Sequence, residues 1–179
     1  MSKKILREDV NQNARFAGQV LRYHTWPVFR QQSVGEHTWQ CLRIYLKIFG
    51  NLPSEVAQYL VWHDAGELAV GDPPFPVKAK NPILKEQYDR LENEAVLNMG
   101  GVPCPLPSAL KDRAKFVDLY EMYEFGMTEL LMGNQYAHPI IDGTLKSMDI
   151  LSSRVAREEF ELMLPWLQEA YIKLKGVEA

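Results

Sequence analysis

Apolar residues recur along this chain at helical intervals, and no alternation of useful length predicts a strand. Ser33, with Glu36 three positions later, has the spacing of a capping box and predicts a helix that stops at Gly50. Ser54 after Pro53 predicts the cap of the next helix. That helix carries His63 and Asp64 near its end and breaks at Gly66 or Gly71. Asp72, Pro73, Pro74 and Pro76 rule out helix, so residues 71–82 read as a loop. Asn81-Pro82 then opens a polar helix to about Met99, ahead of Gly100-Gly101. Its charges alternate in sign (Lys85, Glu86, Asp89, Arg90, Glu92, Glu94), as on a solvated face. Pro103, Pro105 and Pro107 mark a turn before a helix bearing Asp118. A last helical region covers residues 144–175, with Pro165 a candidate kink. His138 precedes Pro139 and reads as loop, and both it and His24 read as surface or packing residues. The expected architecture is all-α, one domain over residues 1–179 built as a bundle of six or seven helices.

Composition narrows the class. A chain of 179 residues can bury a core without disulfides or structural metals. A net charge of −3 argues against a general nucleic-acid or membrane-surface binder, because both need a basic surface. No apolar core follows the first lysines, as a signal peptide would require, and no apolar run is long enough to span a bilayer. Cys41 and Cys104 are too few for a disulfide framework and read as reduced, non-catalytic thiols. A cytoplasmic enzyme is the expectation.

The chemistry concentrates at His63-Asp64, inside the apolar run from Tyr59 and followed by Glu67 and Asp72. An imidazole and a carboxylate are expensive to bury without a partner, and a borderline divalent cation accepts both as ligands. Adjacent helical residues diverge by about 100°, so both reach one ion only from a helix edge or a terminal turn. His37 starts a second apolar helix and Asp118 interrupts a third. Together they offer two imidazoles and two carboxylates, a set that leaves positions open for water and substrate.

The order His37, His63-Asp64, Asp118 resembles that of the HD-domain metal phosphohydrolases. The resemblance extends from about Trp26 to about Tyr123. It includes Trp26-Pro27 with Arg30, Glu36-His37, His63-Asp64-Ala65-Gly66-Glu67 and Gly71-Asp72-Pro73-Pro74-Phe75-Pro76-Val77-Lys78. This is the pattern of the small 5′-deoxynucleotidase branch, which also holds the phage dATP triphosphohydrolases.

The resemblance implies one divalent ion (zinc, cobalt or manganese) held by His37, His63, Asp64 and Asp118. A second, weaker magnesium or manganese ion would ride on substrate phosphates. It implies Glu67 orienting the attacking water or giving a proton to the leaving group, with Asp72 a further acid of the site. Lys78 resembles the family's phosphate ligand. Lys80, Lys85, Arg22 and Arg30 add positive charge near it in sequence, and that excess favours a triphosphate over a monophosphate. Trp26 is the expected deoxyribose contact, while Val28 and Pro76 match positions that crowd the adenine edge. Thr25 stands where the deoxynucleotidases usually carry arginine. The expected activity is therefore a dNTP triphosphohydrolase preferring dATP, with a 5′-deoxynucleotidase as the alternative and a degenerate binding module as the third. The resemblance also implies a homo-oligomer, a dimer or a hexamer.

Overall fold

The computed structural model describes residues 14–72, 81–102 and 105–178. The all-α expectation holds: helices make up almost all of the regular structure, with one short antiparallel ribbon added. The elements are β1 (Leu21–Arg22), β2 (Gln32–Ser33), α1 (Val34–Phe49), α2 (Ser54–Trp62), α3 (Glu67–Val70), α4 (Pro82–Asn98), α5 (Ser108–Leu131), a 3-10 turn at Gln135–Ala137, α6 (His138–Ser152) and α7 (Arg157–Glu178). These group into two compact units. One comprises Met1–Pro27, Gln31–Trp39 and Gln58–Pro105; the other comprises Val28–Arg30, Gln40–Ala57 and Leu106–Ala179. No helix among the described residues is long and apolar enough to cross a membrane.

In the first unit, β1 pairs with β2 so that Leu21 faces Ser33 and Arg22 faces Gln32. The ribbon is too short to show an alternating pattern, which is why the sequence gives no sign of it. It leads directly into α1. The Val34 amide donates to the Val20 carbonyl at 2.8 Å and the Gly35 amide to the Gly18 carbonyl at 2.9 Å. A Cβ on Gly35 would lie 2.9 Å from that Gly18 oxygen, so the approach needs glycine. The Ser33 hydroxyl accepts the Glu36 amide at 3.2 Å, which is the cap expected from the sequence. Gly50 closes α1 at φ +78°. The helix α4 starts as expected, with the Asn81 side chain accepting the Leu84 amide at 3.1 Å and Pro82 in its first turn. It packs against α3. Ala17, Ala65, Val96 and Met99 form the buried cluster between these segments, with Trp62 and Leu68 packed on it.

The second unit is built on α5, which packs against α6 and α7. Tyr120 meets Trp166 edge-on at 5.9 Å between ring centroids, and Tyr123 donates its hydroxyl hydrogen to the Ala170 carbonyl at 2.7 Å. Arg113 grips Glu159 through two N–H bonds of 2.6 and 2.8 Å, so this buried acid is paired.

Three local expectations need correction. The region 144–175 is not one helix: α6 ends at Ser152 and α7 begins at Arg157. There the Arg154 amide turns to the Leu151 carbonyl at 3.1 Å, a three-residue bond that tightens and closes the last turn. Pro165 lies inside α7 and leaves the Glu161 carbonyl without its usual helical donor. His138 is not in a loop. It opens α6, with Pro139 in the first turn, where a missing amide costs nothing. Ser54 does not cap α2, because its hydroxyl donates to Glu55 and the Pro53 carbonyl takes the first helical bond from Ala57.

Candidate metal centre

The helix α2 ends at Trp62, one residue before His63, and residues 63–66 form a tight turn into α3. The two adjacent ligand candidates therefore leave the helix where neighbouring side chains can converge. The glycine that closes this turn acts by size. Gly66 has ordinary right-handed angles, φ −65° and ψ −18°. A Cβ there would lie only 2.4 Å from the Glu92 carbonyl oxygen, so the turn is pressed on the α4 backbone. Gly71 is the true breaker, at φ +74°, with its amide on the Glu67 carbonyl at 2.7 Å.

His37 projects from the first turn of α1 and is completely buried. Its Nε2 lies 3.5 Å from Asp64 Oδ2, and His63 Nε2 lies 3.5 Å from the same oxygen. One ligand atom from each of the three falls within 4.8 Å of the others. Ligands about 2.1 Å from a tetrahedral zinc stand about 3.4 Å apart, so these spacings suit one small ion.

The hydrogen bonding supports the same assignment. His63 Nδ1 is 2.7 Å from the Leu60 carbonyl, which can only accept, so Nδ1 carries the proton. Nε2 is then a bare lone pair, and it is buried with no hydrogen-bond partner. A core histidine kept for packing would satisfy that nitrogen. Two borderline imidazoles and a hard carboxylate are the donor set of a divalent ion, and the residues fit one.

Acids and one base surround this triad. Glu67 is 7% exposed and its Oε2 has no hydrogen-bond partner. Burial, together with the charges of Asp64 and Asp72, pushes its pKa up to about 9, against a partial opposing pull from Arg22. Glu67 is therefore a protonated acid at neutral pH when no ion is bound. Arg22, from β1, is ion-paired with Asp64 Oδ2, on the very oxygen that both imidazoles face. Asp72 accepts the Tyr23 backbone amide at 3.1 Å.

The remaining candidates are distributed as follows. Trp26 is 38% exposed, so it is not a core residue, and its amide closes a turn onto the Tyr23 carbonyl at 2.8 Å. Lys85 sits on the exposed face of α4 in an ion pair with Asp89 four residues on, the solvated pattern its alternating charges suggest. Asp118 lies on α5 in the second unit, 2.6 Å from Lys115. Val28 is half-buried and Arg30 lays its guanidinium over the Phe125 ring at 5.3 Å, both in the second unit. Pro76, Lys78 and Lys80 lie outside the described residues, as does Cys104, while Cys41 is buried.

Two acids escaped the sequence reading. Glu92 contributes its backbone to the wall of the turn and its charge to the field on Glu67. Glu129 is fully buried on α5 and takes the backbone amides of Phe29 and Arg30. A lone glutamate inside Met127-Thr128-Glu129-Leu130-Leu131 was the available signal for the second.

An all-helical fold that gathers His37, His63 and Asp64 at one turn is that of an HD-type protein. Residues 19–124, more than half of the chain, match the family described as 5′-deoxynucleotidase YfbR-like, and the chain belongs to that family. It is 33% identical over 82 residues to a 5′-deoxynucleotidase of Yersinia pestis (strain Pestoides F), and equally to one of Yersinia pseudotuberculosis serotype O:1b (strain IP 31758). Each match spans 39% of this chain and 42% of the relative, less than half of either. The fold is similar to that of the cyanophage S-2L HD phosphohydrolase DatZ, a structure bound to dA and one catalytic Zn2+ ion. That likeness has a TM-score of 0.70 at 20% identity and covers 89% of this chain and 95% of the other.

Proposed function

We propose that the protein is a metal-dependent phosphohydrolase of deoxynucleotides, and that its main substrates are deoxynucleoside 5′-monophosphates. The observation that carries the reading is His63 Nε2, a buried lone pair without a partner, 3.5 Å from the carboxylate that His37 also faces. His37, His63 and Asp64 would hold the ion, with Asp118 the fourth ligand that the sequence pattern assigns. Once bound, a divalent ion lowers the pKa of water and polarises a phosphoryl oxygen, the two demands of phosphate-ester hydrolysis at neutral pH.

The chain's own residues supply the rest. Glu67, buried close to Asp64, gives a proton from its carboxyl group to the 5′ oxygen as the phosphorus–oxygen bond breaks. The water that attacks phosphorus delivers its hydrogen to the carboxylate left behind, so the acid is restored and the products are deoxynucleoside and phosphate. Trp26, half-exposed beside the Arg22 ribbon, offers an apolar face to deoxyribose, against which an added 2′-hydroxyl would be desolvated and unpaired.

The monophosphate reading is favoured over the triphosphate one by how the basic side chains are engaged. Lys85 is paired with Asp89 and Arg22 with Asp64, which removes two members of the row that a polyphosphate would need. The family name and the curated relatives point the same way. The second reading, hydrolysis of a dNTP such as dATP to deoxynucleoside and triphosphate, is favoured by Thr25 in place of the arginine usual in the deoxynucleotidases. Chromatography of products from each dNMP and dNTP, with zinc, cobalt, manganese or magnesium supplied in turn, decides between them. Orthophosphate from dNMPs with inert dNTPs is expected; tripolyphosphate from dATP with inert dAMP selects the second reading.

A further inference from the structure

The two-residue ribbon of the first unit sorts its side chains by face. Leu21 is 46% exposed and Ser33 opposite it is half-buried, whereas Arg22 and its cross-strand partner Gln32 are 7% and 1% exposed. Directly opposed residues of an antiparallel pair carry their side chains on the same face, with Cβ atoms about 4.5–5.5 Å apart. The buried face of the ribbon is therefore one guanidinium beside one carboxamide.

The guanidinium belongs to the candidate metal centre. Its Nη1 is paired with Asp64 Oδ2, the oxygen that His37 and His63 both face at 3.5 Å. Its Cζ lies 5.8 Å from the centroid of the Tyr23 ring. A guanidinium has several N–H donors in a rigid plane and no acceptor, so a buried one is held by more than one acceptor. Across the ribbon Gln32 supplies an amide oxygen, the kind of group such donors need. For packing alone the amide is the wrong choice, because methionine fills nearly the same volume with no polar group to desolvate.

The ribbon is also pinned to the helix that carries His37. Pairing continues past it, from the Val34 amide to the Val20 carbonyl at 2.8 Å and from the Gly35 amide to the Gly18 carbonyl at 2.9 Å. Gln32 thus lies across from the arginine that rests on Asp64, on the strand that leads into the helix of His37.

We propose that Gln32 is a positioning residue of the candidate metal centre. Its side-chain amide holds the Arg22 guanidinium on Asp64, and through Arg22 it sets how tightly that carboxylate takes a metal ion. This rests on the reading of His37, His63 and Asp64 as metal ligands. A residue that acts through Arg22 has no effect once Arg22 is gone, whereas a residue that only supports the fold keeps its effect.

The test is a double-mutant cycle on the full chain, read by cobalt titration followed by absorbance. Gln32→Met keeps the shape and deletes the amide. Cobalt affinity should move in the same direction as in Arg22→Met, by about 2- to 10-fold, the scale of one hydrogen bond. In the Arg22→Met background the same substitution should leave the affinity unchanged. If Gln32→Met does not fold, Gln32→Asn takes its place: it withdraws the amide by one methylene, and the same outcomes are expected. An affinity equal to wild type in the single variant overturns the proposal. So does a shift of equal size with and without Arg22, which traces the effect to the fold. Wild-type protein that takes up no cobalt removes the metal-centre reading and this proposal with it, an outcome distinct from the other two.

Discussion

The Asp72 carboxylate accepts the backbone amide of Tyr23 at 3.1 Å, and Tyr23 sits at a left-handed φ of +56°. That conformation costs a non-glycine residue about 1–3 kcal/mol, and a hydrogen bond to a charged acceptor returns about 1.5–3 kcal/mol. The residue before it is Arg22, which pairs with Asp64. Asp72 thus secures the backbone that delivers a base to the candidate metal centre. Asp72→Asn keeps an acceptor for the Tyr23 amide and is expected to retain most stability and turnover. Asp72→Ala should lose about 1.5–3 kcal/mol in urea unfolding and most of the activity. An asparagine variant as inactive as the alanine one, yet as stable as wild type, gives Asp72 a proton-handling role instead.

Ligand removal tests the triad directly. His63→Ala and Asp64→Ala each take away one donor of a set within 4.8 Å, and both should purify with little bound metal and no hydrolysis. Asp118→Ala is expected to weaken metal binding as well. Elemental analysis with a metal titration reads all three. Full occupancy in the His63 and Asp64 variants would sink the assignment of the centre, and full occupancy in the Asp118 variant alone would leave a three-ligand site.

Much of this candidate centre was legible in the sequence because its chemistry is local. His63 and Asp64 are adjacent, and the need for both to face one point placed them at a helix end, where the turn of residues 63–66 now stands. The Ser33 and Asn81 caps were equally readable, each being a short-range bond within three residues. What the sequence hid is contact across distance. Gly66 reads as a helix breaker, yet its backbone angles are helical and its role is to let the turn touch Glu92. Glu129 serves residues a hundred positions away, and nothing in a one-dimensional pattern pairs them. The split between α6 and α7 was missed for a different reason. Ser152 and Ser153 suit a helix interior or a helix end, and only the bond from the Arg154 amide to the Leu151 carbonyl shows which.

Arg22 and a metal ion compete for the same oxygen. The guanidinium rests on Asp64 Oδ2 and is itself 7% exposed, so its charge acts through little water. Arg22→Met keeps the apolar stem and deletes that charge. Cobalt titration followed by absorbance should show tighter binding in the variant. KM should change little, because Arg22 is engaged by Asp64 and not by the phosphate. Weaker cobalt binding in Arg22→Met would mean that the arginine organises the ligands and does not oppose the ion.

Glu67 gives the metal-free protein a pH signature. Burial, reinforced by Asp64 and Asp72, raises its pKa from 4.5 to about 9. The folded chain therefore holds this proton between those values, whereas the unfolded chain releases it. By linkage, the stabilisation is fully present below the unfolded value and is lost as pH rises toward the folded one. Glu67→Gln mimics the protonated acid at every pH. Thermal unfolding of the metal-free proteins should show wild type losing ground to the variant between about pH 5 and pH 9, with no further divergence above. Metal works in the opposite direction, because a cation at Asp64 favours the carboxylate. Loaded wild type should accordingly show a shallower slope than the metal-free form. In turnover, Glu67→Gln has no proton to give and is expected to fall by about 10²-fold or more while keeping its metal. Parallel stability curves for wild type and Glu67→Gln across this range would show that the acid is ionised in the fold, and would remove it as the proton donor.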